Sequence, residues 1–67
     1  MITNKVQELR KEHHIIQDQL AKELKVTRQT IIAIENNKFN PSLELAFKIS
    51  KFFNRPIEGI FTHREDE

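Results

Sequence analysis

Two amphipathic stretches, Gln17 to Leu24 and Arg28 to about Glu35, are joined across Lys25-Val26 with hardly any chain to spare. Leu20, Ala21 and Leu24 recur at helical spacing in the first stretch, and Thr27 is a strong N-cap for the second. Helices connected this tightly cannot run antiparallel; they must cross steeply. Such a corner has to bury Leu20, Leu24, Val26, Ile31 and Ile34, and small Ala21 lets the two helices approach closely. The other side of the same segment offers Thr27, Arg28, Gln29 and Thr30, hydrogen-bonding groups with no charge partner among them.

The rest of the chain reads as all-α. It has one glycine, two prolines and no long apolar/polar alternation. Asn4 can cap a first helix that ends near His13, with Gln7 and Glu8 in its first turn and Val6 and Leu9 on its inner side. Asp18 sits near the positive end of the second helix, which favours it. The polar run from Asn36 to Pro41 is a loop. Ser42 caps a fourth helix with Glu44 in its first turn, a buried stripe expected at Leu43, Ala46, Ile49 and Phe53, and an end at Asn54. Pro56 suits the first position of a short fifth helix carrying Ile57 and Ile60. Met1 to Thr3 and Ile60 to Thr62 tolerate β structure and can pair as a short ribbon.

A chain of 67 residues, 37% of them hydrophobic, makes one small domain of marginal stability unless something staples it. Without cysteine the staple is neither a disulfide nor a thiolate metal site, which fits a reducing cytoplasm and leaves dimerisation. No apolar run is long enough for a membrane span and no signal peptide is visible, so a cytoplasmic location is expected. The net charge is +1, and without the acidic tail Glu65-Asp66-Glu67 it would be +4. A basic body with an acidic end is compatible with nucleic acid, and equally with an ordinary mixed surface.

The run Q-D-Q-L-A-K-E-L-K-V-T-R-Q-T-I-I-A-I-E-N-N-K-F-N-P-S-L-E-L-A-F-K-I-S, and P-I-E-G-I-F downstream of it, resemble the Cro- and XRE-type helix-turn-helix regulators of phages and bacteria. The resemblance extends over roughly residues 5 to 62 and is closest to the compact stand-alone members, which lack an effector domain and bind DNA as dimers. It implies an all-α, five-helix, lambda-repressor-like DNA-binding domain whose third helix lies in the major groove of double-stranded DNA. It also implies a bacterial or phage-encoded protein that is nucleoid-associated when bound. Gln17 matches the family position whose side chain and backbone N–H meet the DNA backbone.

The residue chemistry agrees with that expectation. The first residues of a recognition helix reach base edges. Arg28 can grip guanine O6 and N7, and Gln29 adenine N6 and N7, each pair giving roughly 1–3 kcal/mol of discrimination. Thr30 and Ile32 could touch a thymine methyl or a nearby phosphate. Phosphate contacts are expected from Gln17, Lys25 and Thr27, and from Asn36, Asn37, Lys38 and Asn40 after the helix. Two positions depart from the family pattern. Lys25 stands where glycine is common and must either take a left-handed backbone, at roughly 1–2 kcal/mol, or reshape the turn. Ile16 stands where a Ser or Thr cap is common; its loss costs about 1 kcal/mol, and Ile16 could pack inward with Ile15 instead. For Arg10 a DNA-backbone contact and an internal pair with a carboxylate are both open.

Other chemistries find no support. His13 and His14 are adjacent and point about 100° apart on a helix, so they cannot both ligate one metal, and His63 is near the tail. Ser42 and Ser50 lack nucleophile partners, and the single Gly59 excludes a glycine-rich phosphate cradle. No enzyme activity, metal, cofactor or small-molecule effector is expected. The phenylalanines, mostly in or beside the fourth helix, read as core or interface rather than base-stacking platforms. A homodimer surface is expected after the fourth helix, from Phe52, Phe53, Ile57, Ile60 and Phe61, where apolar residues exceed the needs of one small core. Two functions from different classes remain: a repressor-type regulator on a near-palindromic operator, and a protein-interaction module of antitoxin type that masks a partner protein.

Overall fold

The corner at Lys25 closes without glycine. In a computed structural model, which describes residues 1–65, the Lys25 backbone is left-handed, with φ 60° and ψ 44°. The Lys25 N–H donates to the Lys22 carbonyl at 3.2 Å and the Val26 N–H to the Ala21 carbonyl at 3.0 Å. This is a Schellman closure, and the chain repeats it. His14, Asn37 and Asn54 are also left-handed, and the N–H groups of Ile15, Lys38 and Arg55 reach back to Arg10, Ala33 and Ser50 in the same way.

The elements follow as β1 (Ile2–Asn4), α1 (Val6–Glu12), α2 (Gln17–Leu24), α3 (Arg28–Glu35), α4 (Leu43–Phe53), α5 (Ile57–Ile60) and β2 (Phe61–His63). Thr27 Oγ1 accepts from the Thr30 N–H at 3.2 Å, and Ser42 Oγ from the Leu45 N–H at 3.1 Å, so α3 and α4 start at their expected caps. Pro56 stands just before α5 rather than at its first position. The ribbon pairs antiparallel as Ile2↔His63, Thr3↔Thr62 and Asn4↔Phe61, one residue further along than expected on both strands. The shift follows from Ile60, which is the last residue of α5 and is buried at 1% exposure, so it cannot also open the strand.

Asn4 ties this ribbon to the helices. Its Oδ1 accepts from the Val6 N–H at 3.0 Å, while its Nδ2 donates to the Ile34 carbonyl at 2.9 Å and to Asn37 Oδ1 at 3.1 Å. It thus serves the first turn of α1 from outside the cap position, which Lys5 occupies, and holds the end of α3.

One core gathers Val6 and Leu9 from α1, Leu20, Ala21 and Leu24 from α2, Ile31 and Ile34 from α3, Leu45, Ile49 and Phe53 from α4, and Ile60. Each large apolar side chain contributes roughly 1.5–3 kcal/mol by leaving water. Two expectations need correction. Leu43 is 71% exposed, because the inward stripe of α4 runs Leu45, Ile49, Phe53 at intervals of one turn, with Ala46 beside it. Ile16 is 62% exposed rather than packed inward, and only Ile15 reaches the core edge. Of the acidic tail, Asp66 and Glu67 lie outside the described residues. Among the described residues no helix is long and apolar enough to cross a membrane.

Candidate nucleic-acid interface

The packing of α3 decides which of its side chains stay outside. Ile31 and Ile34 are buried, so Arg28 and Gln29, on the first turn, are exposed, and Thr30 and Ile32 are half-buried. Thr27 and Thr30 also bond to each other through their hydroxyls at 3.0 Å, which orders the helix start. No acidic residue lies in that first turn. The start of α3 therefore offers a fork of N–H donors at Arg28 and an amide at Gln29, the two groups suited to guanine and adenine edges.

The first turn of α2 lies beside it. An open groove of about 440 Å³ is lined by Arg10, Ile16, Gln17, Asp18 and Arg28. Ile16 offers no side-chain acceptor to the N–H groups that follow it, although Gln19 Oε1 accepts from the Ile16 N–H at 2.9 Å. The leading amides of α2 are thus free of a side-chain cap, in a position to meet an anion.

Behind this groove sits a buried clamp that sequence reasoning had only half seen. Arg10 Nε donates to Glu35 Oε2 at 2.7 Å, Arg10 Nη2 to Glu35 Oε1 at 3.2 Å, and Arg10 Nη1 to the Ile15 carbonyl at 3.0 Å. Gln17 Nε2 adds a bond to Glu35 Oε1 at 3.1 Å. The Arg10 and Glu35 side chains are only 10% and 1% exposed. Of the two roles open for Arg10, the internal pair with a carboxylate is present. The amide nitrogen of Gln17 likewise gives one bond to the clamp, while Gln17 still lines the open groove.

After α3, Asn36, Asn37, Lys38 and Asn40 are all exposed. Asn37 is held by Asn4, and Lys38 makes no ion pair among the described residues. Lys25 stands apart from these groups. It lines a different groove, with Glu23, Leu24, Lys48, Lys51 and Phe52, and none of the exposed first-turn residues of α3 borders it.

The expected dimer residues divide. Phe53 (3% exposed) and Ile60 (1%) are core residues of a single chain and cannot anchor a second one. Phe52, Ile57 and Phe61 are half-buried. The large apolar groups left outside are others: Phe39, Leu43 and Phe47, with Ile16 and Met1. The signal for two of them was present, since Leu43 and Phe47 are four apart on α4 and out of phase with Leu45, Ile49 and Phe53. His13 packs edge-on against Phe53 with ring centroids 5.2 Å apart, which gives that histidine a structural task.

Comparison with known proteins returns the same architecture. Residues 6–60 match the family described as helix-turn-helix. An uncharacterized helix-turn-helix transcriptional regulator of Methanocaldococcus jannaschii is 56% identical over 64 residues, spanning 96% of this chain and 97% of that one. The cryptic phage CTXphi transcriptional repressor RstR of Vibrio cholerae is 31% identical over 65 residues, 97% of this chain but 59% of the repressor. Among solved structures, a candidate DNA-binding protein from Bacteroides fragilis superposes with a TM-score of 0.81 over 92% of this chain at 22% identity, a likeness of fold. An archaeal relative stands beside a phage one, so a bacterial or phage origin does not follow.

Proposed function

The chain belongs to the helix-turn-helix family of Cro/C1/XRE type and is a transcriptional regulator with a DNA-binding domain, and from that premise we propose that it is a repressor that reads a near-palindromic operator as a homodimer. The observation that carries this reading is the exposure of Arg28 and Gln29 on a helix whose opposite face is locked into the core by Ile31 and Ile34. In this reading α3 lies in the major groove, with Arg28 on guanine, Gln29 on adenine, and Thr30 and Ile32 beside them. The Gln17 backbone N–H, Thr27, Asn36, Asn37, Lys38 and Asn40 meet phosphates and hold the register. The related phage repressor supports the direction of regulation.

Two copies related by a two-fold axis would place their α3 helices in successive major grooves about 34–36 Å apart. The apolar side chains outside the core, Phe39, Leu43 and Phe47, with half-buried Ile57 and Phe61, supply the surface for that pairing. The same exposed phenylalanines also favour a second reading, an antitoxin-type module that covers a different protein.

Selection of bound sites from randomised duplex DNA separates the two. A regulator enriches paired half-sites one helical turn apart, and its affinity falls at least tenfold between 50 and 200 mM salt, as several phosphate contacts require. Recovery of no preferred sequence, with a flat response to salt, favours the interaction module.

A further inference from the structure

Arg28 is not alone at the DNA-reading edge. Asp18, the second residue of α2, lies with its Oδ1 3.9 Å from Arg28 Nε, and both side chains are well exposed, at 58% and 61%. A carboxylate is an odd resident here, because the groove it shares with Arg28, Gln17 and Ile16 is where the backbone of DNA would pass. Its helix-terminal position explains why the fold tolerates it. It does not explain why its nearest cation is the side chain best suited to guanine.

We propose that Asp18 is a specificity-determining residue that acts through Arg28, an inference that rests on the reading of α3 as the DNA-recognition helix. The carboxylate lies on the Nε side of the guanidinium. The two terminal Nη groups remain uncommitted among the described residues, and they are the pair that fits O6 and N7 of guanine. At 3.9 Å the carboxylate is beyond hydrogen-bond length, so it biases that fork by its charge and leaves every donor usable. The same carboxylate opposes non-specific binding, which is driven by cations on phosphates irrespective of sequence. With Asp18 beside it, Arg28 adds little net charge to a random duplex but still donates fully to a guanine edge. Both effects act in one direction: they widen the gap between the correct site and any other.

The pair is solvated, so the effect is a tuning rather than a switch. Asp18→Asn keeps the shape and removes the charge. The ratio of affinities for a selected duplex and a random duplex is expected to fall two- to fivefold in this variant. Asp18→Glu should keep the ratio, and Asp18→Asn added to Arg28→Ala should change it no further. A wild type that prefers one duplex, with Asp18→Asn indistinguishable from it or altering the ratio equally without Arg28, overturns the inference and leaves the recognition helix standing. A wild type that prefers no duplex overturns the reading of function and this inference together.

Discussion

Arg10 on α1 and Glu35 at the end of α3 are joined by two hydrogen bonds, 2.7 and 3.2 Å long, between side chains that water barely reaches. The pair fixes the C-terminal end of α3 to α1, and through Gln17 to the start of α2. All three helices that surround the candidate DNA groove therefore converge on one carboxylate.

Removing either charge should leave the other buried without compensation. Glu35→Gln, which keeps the side-chain shape, is expected to cost about 3–5 kcal/mol. That is a large share of the stability of a domain this size. The double change Arg10→Met with Glu35→Leu should recover most of the loss, since a buried ion pair and a packed apolar pair are often close in energy. Urea unfolding of the two variants against wild type measures both. A Glu35→Gln chain as stable as wild type would show that the clamp is solvated in practice.

Lys25 makes the opposite prediction. Its left-handed backbone carries a Cβ penalty that glycine would not, partly offset by the entropy glycine adds to the unfolded chain. Lys25→Gly should raise stability by about 1 kcal/mol. Because Lys25 lines the groove with Lys48, Lys51 and Phe52, the salt dependence of DNA binding should not change. A slope reduced by about one, the signature of a lost phosphate contact, would assign Lys25 to phosphate after all.

This corner also shows what could be seen before any coordinates. The bounds of α2 and α3 and the caps at Thr27 and Ser42 were legible because local rules act alone there: spacing, a hydroxyl at the cap, too few residues for a longer turn. Asn54 as the end of α4 was legible for the same reason, since asparagine tolerates a left-handed backbone. The clamp was not legible as a unit. Its partners stand 25 residues apart, and nothing local in Glu35 announces burial. The face of α4 was misjudged for a different reason. Apolar residues occupy both sides of that helix, so periodicity allows two phases, and only the positions of α1, α2 and α5 choose between them. Arg28 and Gln29 were legible as exposed residues on the first turn of α3, whereas Asp18 looked like a helix-terminal charge because its neighbour Arg28 arrives from the next helix.

The reading residues and the loop residues should fail in different ways. Arg28→Ala and Gln29→Ala are each expected to cost about 1–3 kcal/mol on the selected site and to relax preference at one base pair. Lys38→Ala should weaken all duplexes alike and lower the slope of log affinity against log salt by about 0.9. Titrations at two or more salt concentrations, on selected and single-base-changed duplexes, distinguish the two patterns. Equal losses on every duplex for Arg28→Ala would assign it to phosphate and remove its role in discrimination.

Assembly is tested by a contrast on α4. Leu43 and Phe47 share its outer face and are 71% and 51% exposed, whereas Phe53 is 3% exposed on the inner face. A charge at each outer position, Leu43→Glu with Phe47→Lys, removes apolar surface that the monomer does not use. It should leave urea unfolding of the single chain close to its starting point while shifting sedimentation from dimer to monomer. Phe53→Ala should do the reverse, costing about 3–5 kcal/mol through the cavity it opens. In the outer-face double variant, binding to a single half-site should persist and preference for paired half-sites should vanish, because linked occupancy of two sites needs a joined pair of α3 helices. A dimer that survives both charges would place the interface elsewhere, with half-buried Ile57 and Phe61 the next positions to change.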